Sequence, residues 1–464
     1  MIVPRNRLIF WVAVIGLPFA TLGALAPATL PVAVALMAIL FVLAVLDAVL
    51  AYGGLDGIRA QLPEVVRLSK DRAGVIELRV NNARQKQKLV RLGLAFPNEI
   101  ESPQEDLVVS LPAGAQWSRL PWPCTPRRRG NYRLERAYLE GASPLGFWAV
   151  REAAAVECEL RVYPNLLKER RNLAALFLNR GTFGLHAQRQ VGKGRDFEKL
   201  REYIPGDSYD EVHWKATAKR GHPVTKIFQI ERTQEVYVIV DASRLSARAV
   251  EGRESNVEGK KSPPPAEPST LDLRPSTTIL ERFITSALIL GLAAEHQGDL
   301  FGLLTFTNQV ETFVRAKNGQ AHYDACRDAL YTLHAQIVTP DFDELATFIR
   351  LRLRRRALLI FLTALDDPVL AESFTRSMDL LARQHLVLVN MMKPAGADPL
   401  FTDSSVATTD DLYRSLGGHL QWHSLRELEK VLQRRGVRFS LLDNERMSTQ
   451  LVSQYVGVKQ RQLL

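Results

Sequence analysis

Residues able to do chemistry are sparse in this chain and cluster in two places. The first is Val240-Asp241-Ala242-Ser243-Arg244-Leu245, at the end of an apolar run. A carboxylate and a hydroxyl two residues apart are hard oxygen donors suited to magnesium. The same pair also caps neighbouring backbone amides in ordinary loops, and both readings stand. The second cluster runs Phe197-Glu198-Lys199-Leu200-Arg201-Glu202-Tyr203-Ile204-Pro205-Gly206-Asp207 and resumes at His213-Trp214-Lys215-Ala216-Thr217-Ala218-Lys219-Arg220. Pro205-Gly206-Asp207 is a tight-turn tripeptide, because proline fixes φ and glycine permits positive φ. Arg201 and Glu202 can form charge-assisted bonds, and Asp207 is a candidate bidentate partner for Arg201. Trp214 can anchor against a domain face while its N–H finds an acceptor. Lys215, Lys219 and Arg220 add a basic edge. The segment, Tyr203 included, reads either as cement between domains or as a surface that recognises a partner.

Other reactive patterns are missing from the sequence. It contains no Gly-x-Ser-x-Gly, so a hydrolase elbow is excluded. Gly192-x-Gly194 lacks the third glycine and the preceding strand of a dinucleotide loop. His213, His296 and His334 are scattered. The three cysteines, Cys124, Cys158 and Cys326, form no Cys-x-x-Cys pair and are too few for a disulfide framework. No catalytic residue is assigned. The basic run Arg350, Arg352, Arg354, Arg355 and Arg356 closes a predicted helix, where it complements the dipole. Nucleic-acid binding has no aromatic platform to support it.

The elements that must position these residues follow from periodicity. Residues 60–165 alternate apolar and polar side chains in short runs, as in Val75–Val80, Val90–Phe96 and Val156–Val162. Turn residues divide the runs, which predicts a β-sandwich of immunoglobulin-like type with Cys158 in its core. Residues 166–231 are polar and arginine-rich and hold the second cluster. From 232 to 464 strands and helices alternate. Val236–Val240 is an apolar strand, and a helix follows over Thr278–His296 with a capping box formed by Thr278 and Glu281. The sequence then predicts strand Phe301–Phe306, helix His322–His334, helix Phe342–Arg354, strand Ala357–Leu362, helix Val369–Arg383 and strand Leu386–Met391. Helix Leu425–Arg434, strand Val437–Leu442 and a helix from Glu445 complete the series. Such alternation implies a doubly wound parallel α/β sheet, with sites at the carboxyl ends of its strands. The proline-rich stretch 250–277 cannot build a core and reads as a disordered insert.

The chain has 464 residues, with 60 Lys+Arg against 50 Asp+Glu and a net charge of +10. The charge is unevenly spread. No residue from Leu8 to Leu46 is charged, a length sufficient for two spans of about 20 residues. Pro27 breaks the run, predicting spans over Leu8–Ala24 and Leu30–Tyr52 within residues 1–55. A cleavable signal peptide is the alternative, but Pro27 would follow the cut at Ala26 and a second full span comes directly after. Arg5 and Arg7 precede the first span, and Arg59, Arg67, Lys70 and Arg72 follow the second. The positive-inside rule therefore places both ends and all soluble parts in the cytoplasm, beneath an inner membrane. Asp47 is expected at the interface or paired.

The second cluster resembles the signature of the bacterial family catalogued as domain of unknown function 58, close to Arg-Glu-Tyr-x-Pro-Gly-Asp followed by Trp-Lys-Ala-Ser-Ala-Arg. Thr217 and Lys219 depart from it mildly. Arg128-Arg129-Gly130-x-Tyr132, Pro144-Leu145-Gly146-Phe147-Trp148 and the tail Tyr455-Val456-Gly457-Val458-Lys459 resemble further elements of the family. The resemblance implies a membrane-anchored protein with a von Willebrand factor A-like domain, partnering a MoxR-type AAA+ ATPase as an adaptor or chaperone-like component. It implies no catalytic mechanism. In a von Willebrand A-type domain, Asp241 and Ser243 would open a metal-ion-dependent adhesion site holding magnesium, with Thr339, or alternatively Thr307, as its loop threonine. The chain departs from that pattern at Leu245 and at Ala364, where a ligand is expected, and Asp366 or Asp367 lies two or three residues out of register. The expected function is a non-enzymatic interaction protein at the membrane, with no small-molecule substrate and no nucleic acid. The rival readings are a metal-dependent hydrolase and a basic surface that binds anionic lipid or nucleic acid.

Overall fold

The computed structural model describes residues 1–19, 21, 30–85, 87–179, 191–205, 208–229, 234–250, 277–400, 402 and 408–461. They fall into two compact units, Met1–Asn165 and Leu166–Leu464.

The first unit carries two apolar helical stretches and two β-sheets. Leu30–Ala51 is helical for 22 residues, and its Val34–Ala51 window has a mean hydropathy of 2.8. It is the one helix among the described residues long and apolar enough to cross a membrane. Most of its large side chains, including Phe41, Val42 and Val49, are exposed. Asn6–Phe19 is shorter, with a π-helical turn at Val12–Gly16. The break expected at Pro27 lies outside the described residues.

Two sheets face each other across a shared core. One follows the order Ile2–Pro4, Trp148–Tyr163, Gly130–Ala142, Lys88–Leu94, Asp106–Leu111, and Val65–Ser69 pairs in parallel with the far half of Trp148–Tyr163. The other follows Ile58–Gln61, Gly74–Asn82, Trp117–Pro126, Ile100–Glu101. The period-2 strands bury alternate residues: Ile76, Leu78 and Val80 from one sheet meet Leu92, Leu139 and Leu160 from the other. Cys158 and Cys124 lie in this core, and burial pushes both thiols up to about 11.

The second unit is built on a six-stranded sheet. We label its strands β1 (Glu235–Asp241), β2 (Leu300–Phe306), β3 (Val310–Lys317), β4 (Leu358–Leu362), β5 (Leu386–Met392) and β6 (Arg438–Leu442). The spatial order is β3-β2-β1-β4-β5-β6, parallel except for the edge strand β3. Its helices are α1 (Ile279–His296), α2 (Gln320–Leu330), α3 (Phe342–Arg352), α4 (Pro368–Ala382), α5 (Thr409–Arg434) and α6 (Met447–Gln460). Each strand sends alternate side chains to opposite faces. Val236, Val238 and Val240 meet α1, α2 and α6, whereas Tyr237 and Ile239 share a core with α3, α4 and α5. This two-sided burial is why the strands read as unbroken apolar runs.

Several predicted boundaries shift. α5 begins at Thr409 rather than Leu425, because Thr408 and Asp411 form a reciprocal capping box upstream. α2 ends at Leu330, four residues before His334. Edge strand β3 adds to the predicted elements; only Thr307, Asn308 and Gln309 separate it from β2. The polar segment 166–231 contains a helix, Leu167–Asn179, and an antiparallel hairpin of Val191–Glu202 with Val224–Gln229. Residues 251–276 of the expected insert lie outside the described residues. Their flanks are joined, with Ala249 bridging Thr278 and the Val250 N–H donating to the Thr277 carbonyl at 2.7 Å.

Candidate functional site

The sheet order reverses between β1 and β4, and Asp241 stands at the carboxyl end of β1 at that switch point, where doubly wound sheets place their ligands. The side chain is fully buried. Its Oδ1 accepts the Ser243 N–H at 2.8 Å and its Oδ2 accepts the Thr363 hydroxyl at 2.6 Å. Burial pushes the carboxyl above its ordinary range, against the pull of the Ser243 and Thr363 bonds. The Ser243 hydroxyl accepts the Leu245 N–H at 3.3 Å. Asp241 and Ser243 thus cap backbone amides and bind within the loop. Thr363 is a partner that the sequence reading passed over in favour of its neighbour Ala364.

The other residues expected around a metal do not converge here. Leu245 and Ala364 are buried in the core beside α3 and α4. Thr339 is exposed. Its segment is fixed across the strand ends by backbone bonds, Gln336 N–H to Ala242 O at 2.8 Å and Arg244 N–H to Val338 O at 3.1 Å. Thr307 donates to Glu311 at 3.1 Å. Asp366 pairs with Arg248 through both oxygens, one bond being 2.7 Å, and Asp367 caps α4 through the Val369 N–H at 3.0 Å. Burial works against the Asp366 carboxylate, but the Arg248 bond and charge hold it below its usual range. Among the described residues no group of three or more His, Cys, Asp or Glu could hold a metal ion. These donors do not fit a magnesium site, because their oxygens are committed inward and two of the expected positions are packing residues.

The signature segment has a different character. Tyr203 N–H bonds Pro223 O at 3.0 Å beyond the end of the hairpin, and Glu202 lies 3.6 Å from His222. Trp214–Arg220 is a seven-residue helix. His213 caps it, Nδ1 accepting the Ala216 N–H at 3.0 Å, and Gly221 ends it at φ 73°. The Thr217 hydroxyl accepts the Val224 N–H at 3.0 Å, tying the helix to the hairpin. Trp214 is 68% exposed, with Tyr209 at 75% and Ile204 at 51%. Lys215, Lys219 and Arg220 are exposed on the same helix, which carries no acid. Gly206 and Asp207 lie outside the described residues, as does the expected Arg201–Asp207 pair.

The remaining signature-like elements are structural. The Tyr132 hydroxyl lies 3.2 Å from both the Arg128 and Arg129 carbonyls, and Gly130 between them takes φ 143° against the tyrosine ring. In the second element, Asp47 is completely buried. It accepts from the Ser143 hydroxyl at 2.6 Å, Leu145 N–H at 2.9 Å and Phe147 N–H at 3.1 Å. The Trp148 indole donates to Ala44 O at 2.8 Å. In the tail, Tyr455 and Lys459 lie four residues apart on one face of α6. Both bind buried Asp299, the lysine at 2.9 Å, while Asp299 accepts the Gln234 N–H at 3.2 Å.

The fold thus defines a chain with an apolar N-terminal helix, a two-sheet β unit and a doubly wound α/β unit. Residues 199–255 and 276–407 match the family described as "Protein of unknown function DUF58". No curated protein matches the chain. Among solved structures it is similar to an aerotolerance-related membrane protein from Bacteroides fragilis NCTC 9343, at 12% identity and a TM-score of 0.28, covering 48% of this chain and 98% of that one. It is similar also to conserved hypothetical protein BatB from Bacteroides thetaiotaomicron, at 15% identity and a TM-score of 0.27, covering 48% and 97%. Proximal thread matrix protein 1 from the mussel byssus follows at 10% identity and a TM-score of 0.25, covering 47% and 43%. Scores this low carry no argument about fold or activity.

Proposed function

We propose that the chain is a non-enzymatic, membrane-anchored adaptor. It would present a von Willebrand A-like domain in the cytoplasm and dock a MoxR-type AAA+ ATPase through its signature segment. The observation that carries the reading is the exposure of Ile204, Tyr209 and Trp214 on a segment whose backbone is already tied down by His213, Thr217 and the hairpin. Exposed aromatics on a fixed backbone suit recognition of a partner.

A two-pass anchor is part of the proposal. The Arg5 N–H bonds Phe147 O at 2.8 Å, and Asp47 accepts the Phe147 N–H. The chain therefore leaves the β unit at Asn6 and returns by Ala51 at the same loop. The Leu30–Ala51 helix also contacts the Val12–Gly16 turn. Both features favour two antiparallel passes with basic residues on one side.

The test is affinity capture with the full chain, solubilised with its apolar helices intact and with nucleotide present. Recovery of an AAA+ ATPase by wild type, and its loss with Trp214→Ala, supports the proposal. Failure of the wild-type chain to recover such a protein overturns it.

A further inference from the structure

The loop Ser143-Pro144-Leu145-Gly146-Phe147-Trp148 carries no charged side chain, and its one hydroxyl turns inward onto Asp47. Pro144 and Leu145 at its tip are exposed, Leu145 by 44%. A turn that faces water is ordinarily built from polar residues that bind their own backbone. This loop is held from outside instead. Asp47 accepts the Leu145 and Phe147 N–H groups, the Arg5 N–H bonds the Phe147 carbonyl, and the Trp148 indole reaches the Ala44 carbonyl. The Arg7 guanidinium lies over Gly146, so close that a Cβ there would stand 3.2 Å from its Nη1.

These contacts fix the level of the loop along the Leu30–Ala51 helix. Ala44 stands about 10 Å along the axis from the helix end at Ala51. Ala44, Asp47 and Ala51 form the buried stripe of these last two turns. The other faces of the same turns are apolar and open: Val45, Leu46, Val49 and Leu50 are 46% to 66% exposed. Such a surface, continuous with a helix long enough to span, is matched by lipid rather than water. Charge resumes only past the helix end, where Arg84 and Asp56 lie 3.4 Å apart. The lipid that surrounds Val45 and Leu46 therefore also reaches the loop tip, which stands at their level. Asp47 is tolerated at that depth because three donors enclose it.

We propose that the Ser143–Trp148 loop is a second lipid contact of the β unit. Pro144 and Leu145 enter the boundary between headgroups and acyl chains of a phospholipid leaflet, with Trp148 and Arg7 at headgroup level. The inference rests on the reading of Leu30–Ala51 as a membrane span. The test uses the full chain reconstituted in vesicles of phosphatidylcholine and phosphatidylglycerol. An environment-sensitive fluorophore is attached at Leu145→Cys, at Val49→Cys on the helix, or at Asn98→Cys on an exposed turn of the β unit. The native thiols are buried, so a brief maleimide reaction selects the introduced one. The label at position 145 should lose about half its emission to lipid carrying a nitroxide near the headgroup, as expected for a group at the acyl boundary. Aqueous iodide should quench it far less than the label at position 98. Equal thermal midpoints would show that the three labelled proteins keep the fold. Iodide quenching at 145 equal to that at 98, without lipid quenching, overturns the inference, and lipid quenching at 49 in the same series keeps the span. Shielding from iodide without lipid quenching means that protein covers the loop, and also overturns it. No lipid quenching at 49 removes the span and the inference together.

Discussion

At the scale of single residues, the signature-like elements act through particular contacts. Tyr132→Phe removes the hydroxyl held by the Arg128 and Arg129 carbonyls and should cost about 1 kcal/mol in denaturant unfolding. Gly130→Ala should cost at least as much, because φ 143° is a conformation that side chains resist. Asp241 yields a prediction about metal. Its oxygens serve Ser243 and Thr363, so magnesium and chelator should give the same melting temperature for the wild-type chain. A magnesium-dependent rise abolished by Asp241→Ala would restore the metal reading. Its titration has a defined sign. The folded carboxyl is shifted above the unfolded value, so its contribution is full below the unfolded value near 3.8 and is lost as pH rises through the folded value. The stability difference between wild type and Asp241→Asn should therefore move in favour of wild type as pH falls.

At the scale of elements, the Ser143–Trp148 loop and the end of the Leu30–Ala51 helix form one joint. Asp47→Ala leaves the Leu145 and Phe147 N–H groups without their acceptor, at about 1–3 kcal/mol each. Limited proteolysis in lipid nanodiscs should cut near residue 145 faster in that variant, with the second unit's digestion unchanged. His385, at the entry to β5, gives a pH effect on the opposite side. It is buried, neither ring nitrogen has a partner among the described residues, and burial lowers its protonation range. Its contribution is present above the unfolded value near 6.5 and falls as pH drops below it, because only the unfolded chain takes up the proton readily. The melting temperature should fall between pH 7 and 5, and His385→Leu should flatten that slope.

At the scale of the whole molecule, topology is the open quantity. Cys124, Cys158 and Cys326 are all buried with raised thiol ranges, so the native protein should react slowly with maleimide. That permits a clean accessibility experiment. In intact cells a cysteine at position 27 should label from outside, while one at exposed Gly114 should label only after permeabilisation. Labelling of both from the same side would exclude the two-pass anchor.

Much of this architecture was legible in the order of residues. Side-chain alternation fixes which face of a strand is buried, and uncharged length fixes whether a helix can span lipid. Those are local properties, so the β strands, the six-stranded sheet's apolar runs and the long N-terminal helix could be read directly. The family resemblance rested on local sequence too. The contacts that give the shared motifs their meaning join residues far apart in sequence. Asp47 serves a loop near residue 145, Thr363 completes Asp241, and Tyr455 closes on Asp299. No periodicity encodes such pairs, because a buried carboxylate is satisfied by whichever donors the packed chain brings to it. The exposure of Trp214 was likewise decided in three dimensions. Sequence supplies an aromatic and a basic edge, but only the folded hairpin and its capped helix leave the indole uncovered.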